Sequence, residues 1–490
     1  MNTHLLVLQL MAAQGILGAF DTLYHHELTE ALPQRNTARL ELAIHSARAI
    51  IYSILFVGLS AWTWNGLWAL VLVALFGIEI ILTLWDFVIE DKTRLLPATE
   101  RVIHTILAIN GGAFIALLAL NIPEWYSGPS TLIWNPHGFL SIFLTLCGVG
   151  VGLSGIRDGF AAYSIGINEK RERNIQAIKF SDNSETVLVT GATGFIGKRL
   201  VKALLTDGKQ VTILTRNPKH SAWMFDGKVK CISSMDDLPI SYPIDVIINL
   251  AGARILGWRW SEKRKNILHK SRINLTKSIV EWIEKAKQKP KLLLSASAIG
   301  FYGIQKPGDE TRLTENSPSS SIFMSQLCQD WEAAAQRAQE YGVKVKCMRF
   351  GLVLGQQGAL PMLMLPIKLG LGGSLGSGNQ WVSWIHVYDL VRAISYLWHL
   401  NSHDDSETKK QDTYNFTAPE SVKQKQFSQI AAQVIHRPCL LPTPGFPMRL
   451  LLGEQSDLIL EGQRVEPTRL QAEGFKFTYP TLQKALKSLY

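Results

Sequence analysis

Four runs of about twenty apolar residues, Ala43–Thr63, Leu67–Ile89, Val102–Asn121 and Gly138–Ile156, crowd the first third of this chain. At a rise of 1.5 Å per residue, each makes a helix about as long as a bilayer's hydrocarbon core is thick, roughly 30 Å. A fifth run, His4–Phe20, is shorter but of the same character. It has neither a basic n-region nor a small-residue cleavage site, so it reads as a retained helix and not as a removed signal peptide. At 490 residues the chain is also too long for one ordinary core. The expectation is an α-helical membrane bundle of about five spans over residues 1–167, a polar linker over 168–184, and a mixed α/β domain over 185–490.

Charge divides the same way. Residues 1–180 carry 11 Lys/Arg and 13 Asp/Glu, and the remainder carries 39 and 27, so the halves differ in sign, −2 against +12. The connections near 64–66 and 122–137 hold no Lys or Arg, whereas Arg35, Arg39, Arg48, Lys92, Arg94, Arg101 and Arg157 group on the alternate side, with Lys170, Arg171 and Arg173 following. By the positive-inside rule that side is cytoplasmic. The reading is an integral protein of the plasma (inner) membrane, with its second domain in the cytoplasm. A basic domain there is drawn to anionic membrane lipid and to a phosphorylated cofactor. No nucleic-acid motif accompanies the basic charge, so nucleic acid is not an expected partner. Five scattered cysteines fit a reducing compartment and no zinc or disulfide framework.

Acid-to-histidine pairs at i, i+4 spacing recur in the apolar half: Asp21/His25, Glu41/His45 and Glu100/His104, with Asp86/Glu90 as a carboxylate pair. Such spacing puts both side chains on one helix face. His25, Glu41, His45, Glu90, Glu100 and His104 are therefore candidate ligands for iron or another transition metal, since converging His and carboxylate groups on facing helices build such sites. The competing account is solvation at the membrane interface, with i, i+4 pairing. Glu79, seven residues before Asp86 on the same face, lies deeper in its span, where ionisable groups are costly and usually functional.

After the linker comes the apolar strand Thr186-Val-Leu-Val-Thr-Gly191, running into GATGFIG and a helix near Phe195. Gly191 permits a tight turn, Gly194 lets backbone N–H groups approach a pyrophosphate, and Gly197 lets the helix pack on the strand; Thr193, Phe195 and Ile196 lie among them. A second strand, Gln210–Thr215, ends in Arg216, where an acidic residue would mark NAD. Arg216 suits a 2′-phosphate, so NADP(H) is the expected cofactor. Strands Asp245–Asn249, Lys291–Ser297 and Lys344–Leu354 alternate with helical stretches such as Ser261–Lys287 and Phe323–Tyr341. That alternation predicts a Rossmann-like doubly wound parallel sheet with ligands beyond its carboxyl edge. Asn249, Ala251, Gly252, Ser295, Ser297 and Tyr302 fall around that edge.

GATGFIG, NLAG (249–252) and SASAIGFYG (295–303), with LGLGGSLGSGNQWVSWIHVYDL (369–390), YNFTAPESV (414–422) and GEQSDLILEGQRVEPTRLQAEGFKFTYPTL (453–482), resemble an extended or atypical short-chain dehydrogenase/reductase. The likeness is to its epimerase-family subgroup, which carries a characteristic C-terminal extension, here about 420–490 on the substrate side. It covers about residues 186–489. The class chemistry uses a Tyr as acid/base, a Lys four residues later, and a Ser that polarises the reacting oxygen. The resemblance puts Ser295 or Ser297 at the Ser position, but Ile322 and Gln326 where Tyr and Lys would stand. Neither titrates. Tyr302 and His386 are then the substitute acid/base candidates, and Asp389 reads as a cap of the helix that follows it. Trp258, Trp260, Trp381 and Trp384, with Arg254, Arg259 and Arg264, read as walls of a pocket for an anionic or flat substrate.

Three readings follow: an NADP(H)-dependent oxidoreductase or epimerase acting on a small molecule, a non-catalytic NADP(H)-binding redox sensor or scaffold, and a hydride source for chemistry in the bundle. The topology has its own test. A reporter fused after Tyr490 should be active only in a form that works in the cytoplasm, and one inserted near Ser127 only in a form that works after export. The same side reported by both would refute five spans.

Overall fold

The computed structural model describes residues 3–22, 38–93, 98–173, 177–255, 259–306, 308–403 and 412–490. It divides into two compact units, Met1–Gln176 and Ala177–Tyr490. The candidate ligand His25 and the loop residue Arg35 lie outside the described residues.

The first unit contains helices α1 (Thr3–Phe20), α2 (Arg39–Ala61), α3 (Leu67–Thr93), α4 (Ala98–Ala119) and α5 (Phe139–Arg173). All five are long and apolar enough to cross a membrane. Helix α5 continues to Arg173, into the stretch read from sequence as linker, because nothing from Asn168 to Arg173 breaks a helix. The bundle is arranged opposite to a water-soluble one. Ile81, Leu84, Ile109, Phe139, Leu146 and Phe160 are exposed on its outside, while Glu41, Glu79, Asp86, Glu90 and Glu100 are buried within. A stripe of glycines fixes how α5 meets α2. A Cβ on Gly148, Gly152, Gly155 or Gly159 would come within 2.7–2.8 Å of Val57, Ser53, Ala49 or Ser46 respectively, so the backbones approach only because none is present.

The second unit is built on seven strands: β1 (Thr186–Thr190), β2 (Gln210–Leu214), β3 (Lys230–Ile232), β4 (Val246–Asn249), β5 (Leu292–Ala298), β6 (Lys344–Phe350) and β7 (Thr413–Phe416). All pair in parallel, in the spatial order β3-β2-β1-β4-β5-β6-β7. The order reverses between β1 and β4, which opens a crevice beyond their carboxyl ends. Every residue of β1 is buried, as a parallel strand covered on both faces requires. Helices α6 (Phe195–Thr206), α7 (Leu275–Lys285) and α8 (Phe323–Gln336) cover the sheet.

A smaller substrate-side layer follows. Trp384–His386 pairs in parallel with Leu352–Leu354, and helices Leu360–Lys368, Gln424–Val434 and Leu482–Leu489 share one apolar cluster. The extension is stitched back by a bridge between Leu313 and Val465. It is also held by Asp389, whose carboxylate accepts hydrogen bonds from Thr478 N (2.9 Å) and Tyr479 N (2.8 Å). Asp389 thus fastens the end of the chain, in place of the cap read from sequence.

Candidate functional site

The turn after β1 forms because Gly191 adopts φ +70°, the left-handed region open to glycine. Gly194 N donates to Gly191 O at 3.0 Å, and a Cβ on Gly197 would sit 2.2 Å from that same oxygen. Gly194 is the extended N-cap of α6 and offers no side chain to the first turn. The N–H groups of Phe195, Ile196 and Gly197, lacking partners within the helix, are therefore suited to an anion. The Phe195 ring turns the other way: Cβ atoms on Gly355 and Gly358 would lie 2.3 and 3.1 Å from it. Thr193 is half-buried on the turn. Arg216, just beyond β2, is exposed.

Asn249, expected to touch cofactor, is instead buried beneath the crevice. Its Oδ1 accepts from Thr190 Oγ1 (2.7 Å), and its Nδ2 donates to Thr276 Oγ1 (2.9 Å) and Ser295 Oγ (3.4 Å). Ser295 is thereby drawn into a strand-to-strand clamp. Thr190 Oγ1 also accepts from Ala251 N at 3.2 Å, which fixes the crevice wall. Gly252 is small because Arg272 lies against it, 2.8 Å from where a Cβ would be. A π-turn at Lys270–Asn274 brings Arg272 there, and its guanidinium donates to Ala253 O and Leu268 O.

Ser297 and Tyr302 belong to a second buried network. Arg349 on β6 makes a two-pronged ion pair with Glu332 on α8, Nε to Oε1 at 2.8 Å and Nη2 to Oε2 at 2.7 Å. Ser297 donates to Glu332 Oε1 (2.6 Å), Arg349 Nη1 donates to the Tyr302 hydroxyl (3.0 Å), and that hydroxyl donates to Asn415 Oδ1 (2.7 Å). Burial pushes the Tyr302 phenol up, against the pull of Arg349. Burial also works against the Arg349 charge, yet Glu332 holds it above its ordinary value. The Tyr302 hydroxyl thus gives its proton to Asn415 inside this network. The sequence offered one signal for this network, an arginine inside the apolar strand KVKCMRF, but not its partner.

His386 lies elsewhere. Its Nδ1 accepts from Tyr388 N (3.2 Å), its Nε2 meets Ser488 Oγ (3.3 Å), and its ring lies against Tyr479 at 4.0 Å between centroids. Burial, and then the charge of Arg199, pull it down to about 3. It is a neutral packing histidine.

A cavity of about 710 Å³ opens at the carboxyl end of β5. Ala298, Gly300, Ile322, Met324 and Met362 are among its walls, and the glycine-rich stretch contributes Gly372 and Gly373. Trp260 and Trp381 line it, but Trp384 is core and Trp258 is outside the described residues. Arg254, Arg259 and Arg264 are not among its lining residues, so of the expected walls for an anionic or flat substrate the tryptophans Trp260 and Trp381 are the ones that line it. Among the described lining residues, the titratable side chains are Glu454, Asp457 and Glu461. Each faces a cation: Lys265 Nζ lies 2.7 Å from Glu454, and Arg449 pairs with Asp457 and Glu461. Gln326, at the relay position, is exposed and bonds Asp330.

Residues 187–415 match the NAD-dependent epimerase/dehydratase family, and residues 443–489 match a domain of unknown function, DUF1731. The epimerase family protein YfhF of Bacillus subtilis (strain 168) is 39% identical over 311 residues, which span 62% of this chain and 97% of that protein. The chloroplastic SDR39U1 homolog of Arabidopsis thaliana is 36% identical, over 63% of this chain and 87% of its own. The solved structure of human epimerase family protein SDR39U1 (isoform 2), determined with NADPH, aligns with a TM-score of 0.55 and 32% identity. It covers 62% of this chain and 98% of that one.

Two variants test these assignments. Tyr302→Phe should destabilise the protein by about 1–3 kcal/mol, because it strands Asn415 and Arg349, and should leave nucleotide affinity unchanged. A loss of activity without loss of stability would restore Tyr302 as an acid. For His386, an unfolded imidazole binds a proton below its ordinary value of 6.5 while the folded one resists until about 3. Its contribution is present above 6.5 and is lost as pH falls toward 3, by at most about 1.4 kcal/mol per pH unit. His386→Phe should flatten that dependence in denaturant titrations between pH 6.5 and 4.5; an unchanged slope would refute it.

Proposed function

This chain belongs to the NAD-dependent epimerase/dehydratase family, and from that premise we propose that it is a membrane-anchored NADP(H)-dependent oxidoreductase acting on an apolar small molecule. The observation that carries the reading is the cavity at the end of β5, where the crevice wall passes into a pocket of apolar side chains. The first turn of α6 would take the pyrophosphate, and Arg216 the 2′-phosphate that distinguishes NADP(H). The NADPH in the human relative supports the same choice. The five apolar helices would hold the chain in the bilayer, and the loop charges favour a cytoplasmic side for the second unit.

When bound, the nicotinamide supplies or accepts a hydride. The chain's own residues bind and orient more than they move protons. Ile322 presents an alkyl wall where the class has its phenol, and Trp260, Met324 and Met362 line the same cavity. With the cavity carboxylates engaged by Lys265 and Arg449, the proton that completes a reduction would come from water. This suits an acceptor that spreads negative charge by conjugation better than a simple ketone, which needs a strong acid beside it. One observation favours a second reading, nucleotide binding without turnover: the relay positions hold Ile322 and Gln326, and Tyr302 is committed to Asn415.

Arg216→Asp should weaken NADPH binding by roughly 10- to 100-fold, the loss of a charged hydrogen bond of about 1.5–3 kcal/mol, and barely change NADH. Equal weakening, read by nucleotide fluorescence, would remove Arg216 from phosphate recognition. Single-turnover mixing of NADPH-loaded protein with conjugated carbonyl compounds should consume NADPH. Tight binding with no oxidation by any acceptor would favour the second reading.

A further inference from the structure

The most concentrated set of ligand-bearing side chains outside the crevice lies inside the bundle. Glu41 and His45 project from one face of α2, Glu100 and His104 from one face of α4, and Glu90 comes from α3. One ligand atom from each of Glu41, His45 and Glu90 lies within 4.8 Å of the others, and the same holds for Glu90, Glu100 and His104. We propose that these five residues bind a pair of divalent transition-metal ions, iron or manganese, with Glu90 bridging the two.

Several features support ion binding over a cluster of interfacial charges. Glu41, Glu90 and Glu100 are each 0% exposed, so water at a membrane surface does not solvate them. Three carboxylates gathered in an apolar bundle are a costly arrangement, which a bound cation would offset. Arg48 is engaged beside them, with Asp86 at 2.6 Å and Glu79 at 3.4 Å. Ligands on one ion at about 2.0–2.2 Å stand up to roughly 4.4 Å apart, so each triad needs only a small contraction around an ion.

The outer contact of His104 is that of a metal-bound imidazole. His104 Nε2 lies 3.0 Å from Asp21 Oδ2 on the far side of the ring, and its Nδ1 lies 3.3 Å from Glu90 Oε2. A carboxylate on one ring nitrogen fixes the tautomer that offers the other nitrogen to a metal. His45 Nε2 faces Glu90 Oε1 (3.8 Å) and Asp86 Oδ2 (3.1 Å). Asp86 is 1% exposed, and its second oxygen, Oδ1, is buried without a hydrogen bond. Asp21, His45, Asp86 and His104 also border a cavity of about 570 Å³, through which a small molecule would reach the ions. Two imidazoles with three carboxylates and no thiolate form a set suited to iron or manganese. Two Glu/His pairs on separate helices, plus a carboxylate from a third, is a bundle solution for two ions.

Full-length protein in detergent, stripped with a chelator and titrated with Fe(II) or Mn(II) without oxygen, should take up two ions per chain. Glu90→Gln should lower this toward zero and His104→Ala to about one, each with NADPH binding intact. Uptake of no ion or one ion by the wild type, or of two by Glu90→Gln, would overturn the shared pair. Should the variants lose monodisperse elution, the wild type loaded with Mn(II) decides. An exchange-coupled EPR spectrum supports the bridged pair, and the six-line spectrum of isolated Mn(II) refutes it.

Discussion

A two-pronged ion pair between Arg349 and Glu332 sets what the crevice of the second unit can do. It joins β6 to α8 below the carboxyl edge of the sheet, draws in Ser297 from β5, and through Tyr302 reaches Asn415 on β7. Removing one partner of such a pair leaves an uncompensated buried charge, worth about 3–5 kcal/mol. The polar groups that chemistry would otherwise recruit are therefore committed to holding three strands and a helix in place. What remains facing the cavity is mostly alkyl and aromatic surface, with Glu454, Asp457 and Glu461 held by Lys265 and Arg449.

The same physics acts with the opposite sign of solvent in the first unit. There the exterior is apolar and the carboxylates point inward, so charges must find compensation inside the bundle. Arg48 does this for Asp86 and Glu79. Close approach of α5 to α2, through glycines facing Ser46, Ala49 and Ser53, packs the two backbones tightly together.

The architecture was legible wherever its cause is local. The apolar runs carry their length in the sequence, and the strand, glycine turn and helix of Thr186–Thr206 are contiguous. The i, i+4 pairs at Glu41/His45 and Glu100/His104 were visible because a helix brings them together unaided. Roles fixed by distant partners were not visible. Tyr302 looked like a free phenol because its acceptor, Asn415, is 113 residues away. Asp389 looked like a cap because Thr478 and Tyr479, which it binds, lie far along the chain. Nothing local to Gly148, Gly152, Gly155 and Gly159 says which helix they would meet.

The C-terminal stitching bears on the order in which the molecule is made. By Phe416 the ribosome has supplied every strand of the sheet, and the nucleotide turn can close with the residues already in hand. The cavity cannot. Met448, Leu458 and Gln463 form part of its wall, and the segment that fastens to Asp389, at Thr478 and Tyr479, follows the last strand of the sheet in the chain. Domains emerge and fold from the N-terminus onward during translation. A nascent chain would therefore complete its bundle before the sheet and nucleotide turn, and those before the wall of the cavity is in place.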